Sequence, residues 1–302
     1  AKTWRYELFY WDYVIGLLLF SLLSAFTLGS FGTEGRSFLD DLMQADGRNL
    51  FSAFLGGVVF NASNILLAAA VALCGMSVAF PVGVGLALVL GVLINYFGAA
   101  KGDPLFIFLG VALIAAAIVM NGLAYRMART GKRKLTAKGL LISVAAGTIM
   151  AFFYRFVASS MDLDSFTAPA AGKMTPYTAV VVFATGVFVS NFLFNTIAMK
   201  CPVEGTPVRP SEYFGGTFRT HLVGMLGGAI WCLGESFSMI ASGKAGAAIS
   251  YGLGQGATLV SALWGILIWK EFRGAPGASV LCNAGMFVLF LAGLGLLIYA
   301  GA

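Results

Sequence analysis

Runs of about 20 apolar residues recur along this chain, and that is the length an α-helix needs to cross the hydrocarbon core of a bilayer. They cover Trp11–Phe31, Phe51–Cys74, Ser77–Phe97, Pro104–Tyr125, Gly139–Ser160, Tyr177–Lys200, Thr220–Ile240, Ala245–Trp269 and Gly277–Ala300. A soluble helical bundle would need polar outer faces, and these blocks have almost none. Charged residues are 11% of the chain, far below the soluble average of about 25%. The expected fold class is therefore an all-α integral membrane protein with nine transmembrane helices. Abundant glycine and alanine suit close helix packing in lipid. "WRYELFYW" ahead of the first block reads as an aromatic cluster at headgroup level rather than a signal peptide.

The net charge of +6 does not point to nucleic acid, because the basic residues are scattered between apolar blocks. They read as loop charge on a membrane protein. With "RMARTGKRKLTAK" (126–138) placed in the cytoplasm, alternation of the spans puts thirteen Lys/Arg inside. Only Arg36, Arg48, Lys101, Lys173 and Lys244 fall outside, and Arg155 lies within a span. That bias orients the chain with the basic loop cytoplasmic and the C-terminus external, as expected for a bacterial inner membrane. Cys74, Cys201, Cys232 and Cys282 lack metal or redox spacing and read as packing residues.

An internal repeat is visible. "LGG" at 55–57 returns at 226–228, "GVG" at 83–85 is answered by "GQG" at 254–256, and Leu88-Val89 by Leu259-Val260, all 171 positions apart. The shift maps the last four spans onto the first four and leaves only Gly139–Ser160 without a counterpart. The counterpart of Gly139–Ser160 would precede Ala1, so the expectation is a ten-helix protein of five plus five helices whose first helix is missing here. The expected domains are 1–125 (first repeat), 126–138 (basic loop) and 139–302 (second repeat). Five is odd, so the halves would be inverted in the membrane, as in many transporters.

"ELFYWDYVIGLLL…AFTLGSFG" and "ISYGLGQGATLVSALWGILIWKEFRGAP" resemble the ureide-permease branch of the drug/metabolite transporter superfamily, near its glucose/rhamnose uptake relatives. The resemblance covers essentially the whole chain. It implies a ten-helix carrier of two inverted halves that moves nucleobases, ureides such as allantoin, or sugars.

Charges at bilayer depth cost roughly 2.5 to 3.5 kcal/mol even on insertion scales, so they face a bundle interior and find partners. Arg155, in "MAFFYRFVASS", and Glu235, in "WCLGESF", fall at similar depth on helices running the same way; they are expected to pair, directly or through water. The competing reading is that both snorkel to an interface. By the repeat, Asn64 answers Glu235 and Asn61 answers Cys232. Asn61 and Asn64 share a helix face and either hold the edge of a planar polar ligand or hydrogen-bond between helices. Asn191 and Asn195 repeat the pattern, with Asn195 the more structural of the two. "YGLGQGATL" interrupts its span around Gln255, and its repeat partner "FPVGVGLAL" carries Pro81. Paired interruptions commonly bound transporter sites. Among the aromatics only Trp231, one turn from Glu235, joins the candidate set: Arg155, Glu235, Asn61, Asn64, Asn191, Gln255 and Trp231.

No catalytic, metal or cofactor site is expected. His221 is the sole histidine and, with no nearby carboxylate pattern, reads as an interface residue. "RTGKRKLT" fails the phosphate-loop pattern, and "VEGTPVRPSEY" (203–213) reads as a polar cytoplasmic loop with two prolines, suited to a gate but without chemistry of its own. Two functions remain: a secondary carrier of a small polar metabolite working by alternating access, with proton or sodium coupling open to it, or an accessory subunit of a larger membrane complex.

Overall fold

The computed structural model describes residues 4–31, 35–128, 136–270 and 272–301. The middle of the basic loop, 129–135, lies outside the described residues. The described residues form α1 (Tyr6–Phe26), α2 (Phe38–Gln44), α3 (Gly47–Cys74), α4 (Met76–Ala79), α5 (Gly85–Gly98), α6 (Pro104–Ala128), α7 (Ala137–Ser160), α8 (Pro176–Lys200), α9 (Phe218–Ala245), α10 (Ala247–Gly254), α11 (Ala257–Leu267) and α12 (Gly277–Ala300). Eight of the nine apolar runs give helices long and apolar enough to cross a membrane. The ninth, Ala245–Trp269, is divided into α10 and α11 by a break at Gln255 and Gly256. Apolar side chains such as Leu281, Val288, Leu291 and Ile298 remain exposed at helical spacing along α12, the pattern of a face solvated by lipid.

Local sequence sets the helix starts. Ser37 caps α2 by accepting from Asp40 N. Thr175, followed by Pro176, caps α8 by accepting from Thr178 N. Thr217 Oγ1 accepts from Thr220 N at the start of α9. Each such cap satisfies a donor otherwise orphaned and is worth about 1 kcal/mol. Gly75 and Gly246, 171 positions apart, both take φ +85°, a conformation that disfavours any residue with a Cβ. They end α3 and α9, each 28 residues long and also 171 apart at their starts.

The chain forms two compact units that do not follow the sequence halves: 1–65 with 153–244, and 66–152 with 245–302. In the first, α1 packs antiparallel to α8, with Asn195 Nδ2 donating to Glu7 O at 2.8 Å. Glycines bring other helices to backbone contact. A Cβ on Gly57 of α3 would overlap Phe183 O of α8, and one on Gly186 of α8 would overlap Phe54 O of α3. The same interlock joins α9 to α1, where Gly228 meets Tyr13 O and Gly16 meets Met225 O. One end of this unit is closed by a dense polar cap. Buried Asp41 accepts from Arg36 Nε at 2.9 Å and Thr175 N at 2.8 Å. Arg36 also donates to Pro169 O and Lys173 O, and Gln44 exchanges hydrogen bonds with Lys173 O and Gly172 N.

In the second unit α6 runs antiparallel to α12, with Gly110 against Gly293 and Ser279 Oγ donating to Ala124 O. The two interrupted segments pack together: α5 lies against α10 and α4 against α11. A π-helical turn at Phe80–Val84, carrying Pro81, follows α4. Tyr251 of α10 seats its ring over Gly91 and donates to Ala87 O at 3.1 Å.

Gly228→Val should lower the thermal midpoint of the detergent-solubilised protein, because the blocking atom is a fixed carbonyl and overpacking costs about 1–3 kcal/mol. Gly234→Ala, on the same helix with nothing within 4 Å of a new Cβ, should leave the midpoint unchanged or raise it, for a gain of up to about 1 kcal/mol in stability. Equal midpoints for the two variants would show that the interlock carries no stability.

Candidate functional site

Six of the seven candidate residues fall in the first unit, and three helices build its polar centre. Along α1, Tyr6, Tyr10 and Tyr13 present one face at helical spacing, with ring centroids 5.3 and 5.4 Å apart. The Tyr10 hydroxyl is the junction: it donates to Asn61 Oδ1 at 2.8 Å and accepts from Asn64 Nδ2 at 3.1 Å. Asn61 Nδ2 in turn donates to Ser190 Oγ at 2.9 Å and Val187 O at 3.2 Å. The shared face of Asn61 and Asn64 is thus real, but the two have different duties. Asn61 is fully buried with its amide engaged on both sides, so it fastens α3 to α1 and α8. Asn64 is only partly buried and is held in orientation by Tyr10.

Beside this network lies an aromatic group. The Trp231 indole of α9 is 4.4 Å from the Phe60 ring, 6.0 Å from Phe183 at a near-parallel 23°, and 6.5 Å from Tyr13. Phe60 also meets Phe153 edge-on at 5.2 Å. Glu235 stands one turn beyond Trp231 on the same face, and its Oε1 is buried with no hydrogen-bond partner. On α8, Asn191 is fully buried with neither Oδ1 nor Nδ2 partnered. Leaving a buried polar atom unpaired costs about 1–3 kcal/mol, more for a charged one. An unsatisfied carboxylate oxygen beside flat aromatic faces is therefore an acceptor in want of a donor, next to a surface that planar groups stack on.

Glu235 Oε1 meets no donor among the described residues. Ion pairs in this unit include Arg5–Glu7, Arg36–Asp41 and His221–Asp12. Matched depth along two helices does not by itself join two side chains, because depth leaves the azimuth of each one free. Gln255 belongs to the other unit, where it caps α10 at the helix break. Tyr154 is buried and its hydroxyl donates to Ser238 O at 3.0 Å, whereas Phe152 and Trp264 are exposed. Cys74 and Cys232 are buried, in keeping with a packing role, whereas Cys201 is exposed.

The reading of His221 as an isolated interface residue needs correction. Its Nδ1 lies 2.8 and 3.0 Å from the carboxylate oxygens of Asp12, which is completely buried in α1. Tyr213, from the loop read as chemically inert, donates to Asp12 Oδ1 at 2.5 Å. The sequence signal was the aspartate in "YWDYVIG", a charge at the edge of a span that the search for central charges passed over.

The family model described as Ureide permease matches residues 9–137 and 122–300. The chain belongs to the ureide permease family. It is 23% identical to Ureide permease 1 of Arabidopsis thaliana over 342 residues, which cover 95% of this chain and 87% of that protein. Ureide permease 2 of the same plant is 23% identical over 350 residues, covering 95% and 88%. Family membership and the long apolar helices make this a multi-pass membrane transporter of small polar metabolites.

Asn61→Val should destabilise the protein by about 1–3 kcal/mol, because Tyr10 and Ser190 lose buried partners. Asn64→Val, removing one bond from a partly buried group, should cost less than about 1.5 kcal/mol. Thermal unfolding of both variants in one detergent checks the order.

Proposed function

We propose that this transporter carries a planar, N–H-bearing metabolite, a ureide or nucleobase, by alternating access. The observation that carries the reading is Glu235 Oε1, buried without a donor one turn from Trp231, whose indole packs against the Phe60 and Phe183 rings. A ligand N–H would satisfy that oxygen while the ring or ureido plane stacks on Trp231. Asn64, offering a donor and an acceptor, would read a second edge, with Tyr10 and Asn61 as positioning residues. Asn191, also unpartnered, would supply a further amide on α8. Flat aromatic faces beside an unpaired acceptor favour such ligands over a sugar, whose hydroxyls would ask for more hydrogen-bonding groups.

The two interrupted segments support alternating access. Broken helices at corresponding places of a repeat are where transporter backbones bend, and irregular backbone is tolerated in a bilayer only where protein or a cavity satisfies it. The recurrence of Gly75 and Gly246, and of the two glycine interlocks, at about the same offset supports reading the chain as an inverted repeat. A proton or sodium ion would drive the cycle, and the Lys/Arg distribution supports a cytoplasmic 126–138 loop.

Uptake of labelled allantoin, uracil, xanthine, glucose and rhamnose into proteoliposomes tests the proposal. A planar N–H compound should be taken up, and Glu235→Gln should reduce its uptake about 10- to 100-fold, the value of one hydrogen bond to a charged group. Trp231→Ala should raise KM roughly tenfold for the loss of about 1 kcal/mol or more of stacking. Uptake unaffected by Glu235→Gln would remove that carboxylate from the site. Absence of uptake of all five compounds would favour an accessory subunit that keeps the fold without carrying them.

A further inference from the structure

The Asp12, His221 and Tyr213 cluster is not used by the reading above, and it has the features of a built device rather than incidental contact. Asp12 is completely buried within α1, yet it is satisfied from two other elements at once. Tyr213 reaches it from the 3-10 helix Pro210–Gly215, and His221 from the first turn of α9. Aromatic rings close the site, with Trp4 edge-on to the imidazole at 5.5 Å and Tyr213 at 4.6 Å. Glycines make the room: a Cβ on Gly224 would run into Asp12, and one on Gly216 into His221 and Trp4.

We propose that Asp12, His221 and Tyr213 form a proton-dependent latch that fastens the 3-10 helix Pro210–Gly215 and the start of α9 to α1. With the imidazole protonated, Nδ1–H···carboxylate joins two opposite charges; once Nε2 has released its proton, Nδ1–H can still donate to Asp12 but the charge on the donor is gone. When the proton leaves, a buried carboxylate remains with a neutral neighbour, and the fastening weakens. Imidazole is the side chain whose ordinary titration falls between about pH 5 and 8. The sign follows: the latch is tight on the acid side and loosens as pH rises through the imidazole's titration. Tyr213 does not titrate in this window, since burial and its bond to Asp12 hold the hydroxyl well above its usual range.

The other ionisable groups around the site are already engaged or point elsewhere. On α1, Arg5 and Glu7 pair at 2.7 Å, and Arg5 also donates to Thr206 O and Glu204 O in the loop after α8. On the 3-10 helix, Glu212 accepts from Arg209 N at 2.9 Å. Lys200, Arg209 and Arg219 are exposed. Asp12 is the charged group that His221 contacts among the described residues. The polar cap at Arg36 and Asp41 provides a contrast within the same unit: it contains no imidazole, because His221 is the only histidine in the chain.

Hydrogen–deuterium exchange of the full chain in nanodiscs, corrected for the intrinsic effect of pH, tests the latch without reference to substrate. Protection of residues 210–217 should fall about tenfold between pH 5.5 and 8, a difference of the size of one charge-assisted bond. Protection of the cap at 36–46 should stay constant, showing that the fold persists. His221→Gln should abolish the pH dependence, and Asp12→Asn should lower protection at pH 5.5 to the wild-type level at pH 8. The single histidine allows a second, mutation-free measurement: in protein labelled with 15N-histidine, the imidazolium-to-imidazole change should coincide with the loss of protection. Constant protection in the wild type, a pH dependence that survives His221→Gln, or midpoints more than about one pH unit apart would each overturn the proposal.

Discussion

Helices in lipid gain little from burying one apolar surface against another, so contact must come from backbones approaching closely. In the first unit that approach is made by two matched interlocks. Gly57 and Gly186 seat α3 and α8 against each other's carbonyls, and Gly228 and Gly16 do the same for α9 and α1. The network of Tyr10, Asn61 and Ser190 spans the first of these neighbourhoods and can close only because the helices are so near. The interlocks resemble one another but their surroundings do not. Gly56, next to Gly57, packs on Phe153 O and Val157 of α7, whereas Gly227 meets only the ring edges of Phe9 and Tyr13, at 3.6 and 4.0 Å.

Much of this was legible in the residues. The apolar runs gave the helices to within a few positions because span length is fixed by the bilayer and not by fine packing. The paired "LGG" segments that suggested a repeat turn out to hold Gly57 and Gly228, the glycines at the two interlocks. The interruption around Gln255 was visible in its glycine spacing, although the helix count it implied was not: a run that reads as one span in hydropathy is two short helices in the backbone.

The candidate site was less legible, for a geometric reason. Hydropathy and repeat spacing report how deep a residue lies along its helix, and Arg155 and Glu235 were matched on that coordinate alone. Which way each points depends on packing at several helices simultaneously, and depth carries no information about it. The converse holds for Asp12, His221 and Tyr213. Asp12 is separated from Tyr213 by 201 positions and from His221 by 209 and each is unremarkable alone, so only the packing of the 3-10 helix and α9 against α1 reveals them as one cluster. The relation of Asn61 to Tyr10 is of the same kind.

The division of the ninth apolar run into α10 and α11 also bears on how the protein is made. At 8 and 11 residues, each piece is well short of the roughly 20 needed to cross a bilayer as a helix, and the backbone groups at their junction cannot be left facing lipid. A membrane-insertion machine that releases helices one by one would meet here a segment unable to stand alone. Its partners α4 and α5 are synthesised some 170 positions earlier, so the surface that receives the broken segment is already in the membrane when it emerges. Order of synthesis thereby does for this segment what length does for the others.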